Sequence, residues 1–344
     1  MKTPKELGYY FPAEWARHES TWLSYPHNEN SWPGKIETIF PSYNLFIKEV
    51  SKGEIVNIIV LDSSMKERVD RELREIGVDM NRIQFHEFKT NDAWTRDHGG
   101  AVLLNKDGKS RAIVDWEFNA WGSKYPYELD NKVPELMAKH LDLKLFKPGV
   151  VMEGGGVEFN GEGSLITTKS CLLNENRNPE LNQAEIEEKL VDYYGVDNII
   201  WLEEGVEGDD TDGHIDDITR FVNKDTVITM VEESKSDINY NVLKTNLDIL
   251  KKARLENGKQ LNVVEILMPE PVVWDGERLP ASYANFYISN EAVIVPVFNS
   301  KYDNKAIYTL EEYFKDRKVI GIDSVDIIWG LGSFHCLSQQ EAGL

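Results

Sequence analysis

Cysteine is scarce in this chain, which has two in 344 residues, Cys171 and Cys336. Two thiols provide neither a disulfide framework nor the cysteine cluster of a structural zinc site. No apolar run is long enough to span a bilayer, and no apolar signal segment follows the first six residues. These absences predict a cytoplasmic protein that does not associate with membranes.

Positive charge is the second shortage, because 38 Lys and Arg residues stand against 59 Asp and Glu residues, for a net charge of −21. A surplus of negative charge disfavours binding to nucleic acid and to anionic membranes. It favours a small cationic ligand, whose local concentration it raises. The alternative is that the charge serves solubility alone.

A unit of hairpin, helix and strand recurs four times, with hairpins opening near residues 101, 157, 215 and 285. In the third unit the predicted strands are 215–222 and 226–231, followed by a helix over 237–256 and a strand over 261–267. The residues before 90 and the stretch 325–340 would make a fifth unit. Since the two chain ends share that unit, we expect an α/β fold closed into a ring of five blades, formed by residues 1–344 as a single domain.

Cys336 follows the glycines of Gly330-Leu331-Gly332, which let the backbone pass close to a ligand. The residue is a candidate nucleophile, and the alternative is a small buried apolar side chain. A thiolate requires a cationic neighbour or a bound cation to lower its pKa. A guanidinium or amidinium substrate would supply that charge.

His214 and Asp216 lie in an acidic segment, Asp210–Asp217, at the start of the third predicted hairpin. If the segment from 214 is a strand, both side chains point to the same face and suit proton transfer together with cation binding. The alternative is a calcium loop, but the segment lacks the ligand spacing and terminal Glu of an EF-hand. We therefore expect no metal site.

Two further carboxylates precede the first two hairpins. Asp97 follows Trp94 by three residues, and an aromatic face beside a carboxylate suits a planar cation. The alternative is a core Trp beside a solvated Arg96-Asp97 pair. Glu153 precedes three glycines, which can turn the chain sharply and direct the carboxylate inward, although an exposed Glu in a turn is the alternative. His335 is expected to point away from Cys336 in an extended segment, and Cys171 is expected in the core.

With these residues in view, the sequence resembles the agmatine deiminases, a branch of the guanidine-modifying pentein superfamily that is related to bacterial peptidylarginine deiminases. The resemblance covers nearly the whole chain and includes Asn91–Asp97, Met152–Gly156, Cys171–Leu173 with Asn176–Pro179, Gly208–Asp216, Ala281–Tyr287 and His335–Gln340. The chain departs from the family at Gly330–Phe334 and at His98-Gly99-Gly100, where the family has a Gly-Gly-Gly-Asn-Ile segment and a Gly-Pro pair.

The resemblance implies a five-bladed α/β propeller, the pentein fold, with the site on its axis. It implies that Cys336 is the nucleophile, that His214 is the general acid and base, and that Glu153 supports His214. Asp97 and Asp216 would bind the guanidinium, against which Trp94 would stack, and no cofactor would be needed.

The expected function is a hydrolase that converts agmatine to N-carbamoylputrescine and ammonia through a covalent thiouronium, within putrescine and polyamine biosynthesis. Free arginine is expected to be a poor substrate, because none of the nearby arginines, Arg96, Arg177 and Arg220, is a certain partner for its carboxylate. The alternatives are a deiminase of peptidyl arginine or another guanidine, and a non-catalytic binder of cationic metabolites. Assembly into a homo-oligomer is left open.

Overall fold

The computed structural model describes residues 2–344, which form a mixed α/β fold. The strands are, in chain order, β1 (Tyr9–Tyr10), β2 (His18–Ser24), β3 (Ile55–Val60), β4 (Ile83–Glu87), β5 (Ala101–Asn105), β6 (Arg111–Val114), β7 (Lys144–Phe146), β8 (Val157–Phe159), β9 (Ser164–Thr168), β10 (Asn198–Leu202), β11 (Thr219–Asn223), β12 (Thr226–Val231), β13 (Asn262–Leu267), β14 (Val273–Trp274), β15 (Glu277–Arg278), β16 (Tyr287–Ile288), β17 (Ala292–Val297), β18 (Lys318–Asp323) and β19 (Gln339–Ala342).

The helices lie between these strands. They are α1 (Ile36–Val50), α2 (Ser63–Glu75), α3 (Thr95–His98), α4 (Ala120–Ser123), α5 (Val133–Leu141), α6 (Lys169–Leu172), α7 (Gln183–Tyr194), α8 (Tyr240–Leu250) and α9 (Asp303–Tyr313). Short 3₁₀ turns cover Lys5–Leu7, Met80–Arg82, Asp130–Lys132, Gly154–Gly156, Ile215–Asp217 and Ile327–Gly330. Within residues 2–344, no helix has the length and apolar character that a membrane crossing requires.

The strands of residues 2–344 form five sheets of three or four strands, and β14 pairs with β15 in a separate hairpin. The sheet orders are β1-β5-β6-β7, β10-β9-β8, β11-β12-β13, β16-β17-β18 and β19-β2-β3-β4. Each sheet contains an antiparallel pair followed, after a helix, by a parallel neighbour, as in β11-β12 and then β13. This order matches the predicted hairpin, helix and strand. In the two four-stranded sheets, β1 adds a second antiparallel pair and β4 adds a second parallel pair.

The fifth sheet joins the two ends of the chain. The C-terminal strand β19 is antiparallel to β2, with Gln339 opposite Trp22, and β2 is parallel to β3. The prediction that the residues before 90 and the C-terminal stretch form one unit is therefore confirmed. The same pairing carries the segment that precedes β19, including Cys336, into contact with the other sheets.

Local sequence explains the helix ends. The Asp62 side chain accepts a hydrogen bond from the Met65 backbone and caps α2, whose buried face is Met65, Val69 and Leu73. Asn182 and Glu185 form a reciprocal capping box at the start of α7. The sheets form from apolar runs such as β17, which is buried on both faces between helices and neighbouring sheets.

The structure corrects two predicted elements. The segment 215–222 is not one strand, because Ile215–Asp217 is a 3₁₀ turn and the strand begins at Thr219. The predicted helix 237–256 is confined to Tyr240–Leu250. The side chains of Asp216 and Asp217 are buried and hydrogen-bonded to residues distant in sequence. Local strand propensity therefore does not determine the backbone conformation of this segment.

Candidate active site

In each of the five sheets, one residue stands a few positions before a strand of an antiparallel pair. These are Asp97 before β5, Glu153 before β8, His214 before β11, Asn285 before β16 and Cys336 before β19. The five side chains are buried and lie close together. His214 Nδ1 lies 3.7 Å from Asp97 Oδ1, and its Nε2 lies 3.8 Å from Glu153 Oε2. The structure therefore brings together residues that are up to 239 positions apart, from Asp97 to Cys336.

Asn285 holds the turn that carries Cys336. Its Oδ1 accepts hydrogen bonds from the backbone N–H groups of Ser333, His335 and Cys336, at 3.1 to 3.3 Å. Its Nδ2 donates to Cys336 Sγ at 2.9 Å and to Asp217 Oδ1 at 2.9 Å. Sequence reasoning did not select Asn285 as a site residue, although its place before the fourth hairpin, equivalent to that of Asp97 and Glu153, is the signal that could have found it.

The Cys336 thiol lies among carboxylates. Its Sγ is 3.4 Å from Asp216 Oδ2, and the side chain is 5% exposed. Burial raises the pKa of the Cys336 thiol well above its ordinary value, and the charges of Asp216, Asp217 and Asp97 raise it further. Without a bound cation the thiol is therefore protonated.

Asp97 is held by two donors that do not come from its own hairpin. Trp121 Nε1 donates to Oδ2 at 3.0 Å, and the Gly155 backbone N–H donates to Oδ1 at 2.9 Å. Burial raises the pKa of Asp97 to about 6, with contributions from the negative charges of Asp216 and Glu153. Sequence reasoning missed Trp121, whose φ of 54° places it in the left-handed turn α4. Strained backbone of this kind is frequent at functional sites.

Gly155 lies at the centre of the cluster, where no side chain would fit. A Cβ atom at this position would lie 2.6 Å from His214 Nδ1, 2.9 Å from Asp97 Oδ1 and 3.2 Å from Asp216 Oδ2. The backbone must therefore pass between three functional side chains. This is the structural requirement for a glycine after Glu153.

Glu153 is directed inward by its 3₁₀ turn and is completely buried. Arg177 Nε donates to its Oε1 at 2.7 Å. Burial opposes ionisation of the carboxyl group, but the positive charges of Arg177 and His214 hold the pKa of Glu153 below its ordinary value. Glu153 is therefore an anion whose second oxygen faces His214.

His214 is buried and has no hydrogen-bond partner for either ring nitrogen among residues 2–344. Its backbone N–H donates to Asp209 Oδ2 at 2.9 Å, which fixes the loop before the 3₁₀ turn. Burial alone would lower the pKa of the imidazole, but the nearby Asp97 and Glu153 carboxylates raise it well above its ordinary value. The ring is therefore protonated, and its N–H groups face carboxylates at 3.7 and 3.8 Å.

The observed position of Asp216 contradicts two predictions. Asp216 is on a 3₁₀ turn, so the expectation that it shares a strand face with His214 was wrong, although His214 Nδ1 is still 4.0 Å from its Oδ1. The expectation that His335 lies in an extended segment and points away was also wrong, because the chain turns there and His335 Nδ1 lies 2.7 Å from Asp216 Oδ2. Burial raises the pKa of Asp216, but His335 more than offsets this and the pKa is lowered overall. Oδ1 of Asp216 has no partner within residues 2–344.

A cavity of about 200 Å³ leads to Cys336 and Asp97. Its aromatic lining consists of Trp94, Trp121, Tyr125, Trp274 and Trp329. Trp94 stacks on Trp32 with ring centroids 5.2 Å apart, which places it in the wall as well as in the core. Asp92, Asp97 and Asp210 are the acidic residues of the lining, and no Lys or Arg of residues 2–344 contributes to it. The cavity therefore suits a cation with an apolar body.

Cys171 is completely buried in an apolar cluster, as predicted, but it also touches the site. Its Sγ lies 3.8 Å from Glu153 Oε2. Burial raises the pKa of this thiol, and the Glu153 charge adds to the effect. It is therefore a protonated thiol in contact with Glu153.

The three arginines near the site are all engaged by other residues. Arg96 donates to Gln340 Oε1 at 2.6 Å, and Arg220 donates to Glu14 Oε2 and to Glu158 Oε2, both at 2.9 Å. Arg177, which the sequence could not place, donates to Glu153, Asn176, Asp212 and the Thr211 carbonyl. None of these guanidinium groups lines the cavity.

Comparison with known proteins agrees with this geometry. The family model of the Porphyromonas-type peptidyl-arginine deiminases matches residues 10–342. A relative from Legionella pneumophila, assigned by name to the agmatine deiminases, is 36% identical over 98% of this chain and 96% of its own length. Among solved structures, agmatine deiminase of Enterococcus faecalis has a TM-score of 0.93 at 29% identity, with 99% of this chain and 98% of that chain covered.

A second solved structure is that of C. jejuni agmatine deiminase with substrate bound. It has a TM-score of 0.89 and 36% identity, with 97% of this chain and 96% of that chain covered. The match therefore extends over the same sheets and loops that build the site described above. The resemblance predicted from the sequence motifs is confirmed, and the chain belongs to the family of Porphyromonas-type peptidyl-arginine deiminases.

Proposed function

We propose that this protein is an agmatine deiminase, a hydrolase that converts agmatine to N-carbamoylputrescine and ammonia. The observation that carries the proposal is the placement of one thiol, Cys336, beside the carboxylates of Asp97 and Asp216 at the end of an acidic, aromatic-lined cavity. Two of the solved structures that it resembles are agmatine deiminases. The product is a carbamoylated precursor of putrescine, so the reaction belongs to polyamine biosynthesis.

The guanidinium group of the substrate would bind between Asp97 and Asp216. The unpartnered Oδ1 of Asp216 supports this role, because a buried carboxylate oxygen without a donor is costly unless a ligand supplies one. Trp94 would stack against the planar cation from the wall of the cavity. Charge-assisted pairing of this kind would orient the central carbon toward Cys336 Sγ.

Substrate binding would also activate the nucleophile. The free thiol is protonated because burial and three aspartates disfavour the thiolate. A bound guanidinium brings positive charge to the same place and lowers the pKa of the thiol, so the thiol proton is released to solvent and the thiolate forms when a substrate is present to react with it. The acidic surroundings of Cys336 therefore restrict its reactivity toward neutral compounds.

The covalent step forms a bond between Cys336 Sγ and the central guanidinium carbon. His214 donates a proton to the departing nitrogen, the C–N bond breaks, and ammonia leaves a thiouronium on the enzyme. Water then attacks the same carbon while His214 accepts its proton, and the C–S bond breaks to release the ureido product. Glu153, held by Arg177, would orient the imidazole through both steps and would favour its charged form before the first step and after the second.

We further propose that the five sheets are the blades of a closed propeller and that the whole chain is one catalytic domain. The equivalent position of the five site residues, each before a strand of an antiparallel pair in a different sheet, supports this arrangement, since equivalent loops in a ring meet at one end of its axis. A reaction through a free thiol also requires a reducing compartment, which favours the cytoplasm.

The test is ammonia release from a panel of guanidines at equal concentration: agmatine, free arginine, an N-acetylated arginine peptide and a methylated arginine. The proposal expects release from agmatine well above the others and no release by the Cys336→Ser variant. Preferential turnover of the peptide would favour peptidyl-arginine deimination, which the family model's name makes the second candidate. Binding of agmatine with no ammonia from any compound would indicate a non-catalytic binder.

A further inference from the structure

Three donor atoms from three different segments lie close together, and one of them belongs to His214, the proposed catalytic acid and base. Glu153 Oε2 lies 3.8 Å from Cys171 Sγ and 3.8 Å from His214 Nε2. All three donor atoms lie within 4.8 Å of one another, and all three side chains are completely buried. A carboxylate oxygen, a thiol sulfur and an imidazole nitrogen at this spacing are the donor set of a transition-metal site.

The remaining contacts leave this set free to bind an ion. Arg177 occupies Oε1 of Glu153 and leaves Oε2 facing the other two donors. The ring nitrogens of His214 have no hydrogen-bond partner among residues 2–344, although the side chain is completely buried. The proposed deimination makes no use of Cys171. An unpartnered buried imidazole directed at a carboxylate and a thiol is the second, independent indication of a ligand.

We propose that Glu153, Cys171 and His214 form an inhibitory binding site for a borderline transition-metal ion, with Zn²⁺ as the best fit. Coordination releases two protons to solvent, one from the Cys171 thiol and one from Nε2 of the protonated His214 ring, and forms a Zn–S and a Zn–N bond in their place. The inhibition rests on the proposed function, because it withdraws His214 and Glu153 from catalysis. The binding itself does not depend on that function.

The distances between the donor atoms would fit a zinc ion if they shortened slightly. Bond lengths of about 2.3 Å for Zn–S and about 2.0–2.2 Å for Zn–N and Zn–O place tetrahedral donors about 3.4–3.6 Å apart. The distances of 3.8 Å to Glu153 Oε2 therefore need to shorten by a few tenths of an ångström. Three protein donors leave a fourth position for water.

The surroundings of the three donors favour the same class of ion. With Nε2 of His214 coordinated, Nδ1 carries the proton and faces Asp97 Oδ1, 3.7 Å away, as the second shell of a zinc site requires. Mg²⁺ and Ca²⁺ prefer six or more oxygen donors, which the site does not offer. A soft thiolate in the donor set selects zinc and cobalt over these hard cations.

The cysteine count makes a direct experiment possible. In the Cys336→Ser variant the sole remaining thiol is Cys171, so any thiolate-to-metal absorption belongs to it. The metal-free variant, kept reduced with a non-thiol reagent, is titrated with Co²⁺ and then with Zn²⁺. We expect a thiolate-to-cobalt charge-transfer band that saturates at one equivalent, disappears on addition of Zn²⁺, and does not respond to Mg²⁺.

Two further variants localise the ion. The Cys171→Ala/Cys336→Ser protein should lose the band, and the Glu153→Gln/Cys336→Ser protein, which keeps the thiol, should bind Co²⁺ about tenfold or more weakly. Absence of the band in folded Cys336→Ser protein overturns the proposal, as does unchanged affinity in the Glu153→Gln variant. Because Cys336→Ser protein has no nucleophile, these results are independent of whether agmatine is the substrate.

Discussion

His335 Nδ1 lies 2.7 Å from Asp216 Oδ2, while its Nε2 lies 2.8 Å from Glu14 Oε2. The pKa of each carboxyl group is lowered although burial opposes this, so both act as acceptors and both ring nitrogens donate. The His335 ring therefore connects a buried glutamate to a carboxylate of the site. It fixes Oδ2 of Asp216, whose Oδ1 has no partner within residues 2–344.

We expect His335→Ala to lower kcat/KM for agmatine about 10- to 100-fold, because a hydrogen bond to a charged group contributes about 1.5–3 kcal/mol. The matched control is His18→Ala, which removes another buried histidine; its ring pairs with Glu54 at 3.0 Å and with the Glu14 backbone carbonyl at 2.7 Å, and not with a carboxylate of the site. The control should lower Tm and leave kcat/KM within about threefold. If His335→Ala changes Tm alone, the ring has a purely structural role.

Cys336→Ser should abolish turnover and leave the fold intact, because a hydroxyl group lacks the nucleophilicity of a thiolate. Rapid quenching of the wild-type reaction followed by intact-mass and peptide analysis should find the substrate adduct on Cys336. The same adduct should persist in Cys171→Ala protein. An adduct on Cys171, or full activity in the serine variant, contradicts the assignment of the nucleophile.

We expect kcat/KM to fall at acid pH because Asp97 becomes protonated. Burial raises its pKa to about 6, so the carboxyl group loses its charge, and with it the guanidinium partner, as the pH falls through that value. The pKa of Asp216 is lowered, so Asp216 stays ionised over the same range and does not contribute to the fall. We expect Asp97→Asn to remove this pH dependence and to cost about 2–5 kcal/mol in transition-state binding. A flat wild-type profile between pH 5 and 7 contradicts this prediction.

Agmatine should be preferred over free arginine by about 100-fold or more in kcat/KM, because the α-carboxylate of arginine would be buried without a partner. The engagement of Arg96, Arg177 and Arg220 by other residues strengthens this expectation beyond what the sequence allowed. Butylguanidine, which lacks both the amine and the carboxylate, separates repulsion of the carboxylate from attraction of the amine. Equal values for agmatine and arginine at the same pH and salt would refute the agmatine assignment.

Asp130 should make the protein less stable as the pH rises. Burial raises its pKa to about 8, whereas the unfolded chain ionises near the ordinary value of 3.8. Between these values the folded state holds one proton more, so the free energy of unfolding falls with pH and levels off above about 8. Asp130→Asn should therefore gain Tm relative to wild type from pH 5 to 8, measured by calorimetry. A constant difference in Tm over that range contradicts the prediction.

The repeating architecture was predictable from sequence because patterns of apolar and turn residues within short segments indicate its strands and helices. The bounds of β12 are those predicted, since an apolar run between turn residues defines this strand locally. The segment from 215 was misassigned because its backbone follows buried contacts of Asp216 and Asp217 with distant residues. No window of neighbouring residues contains those partners.

The candidate site was likewise predictable from sequence in one part and visible only in the tertiary structure in the other. Residue type and motif alone identified Cys336, His214, Glu153, Asp97, Asp216 and Trp94, and the composition alone indicated a small cationic ligand. Only the tertiary structure showed that Asn285 holds the thiol, that Trp121 holds Asp97, that His335 faces Asp216 and that Cys171 joins Glu153 and His214. These contacts span 18 to 119 positions of the chain, so the packing of sheets against one another determines them and local sequence does not.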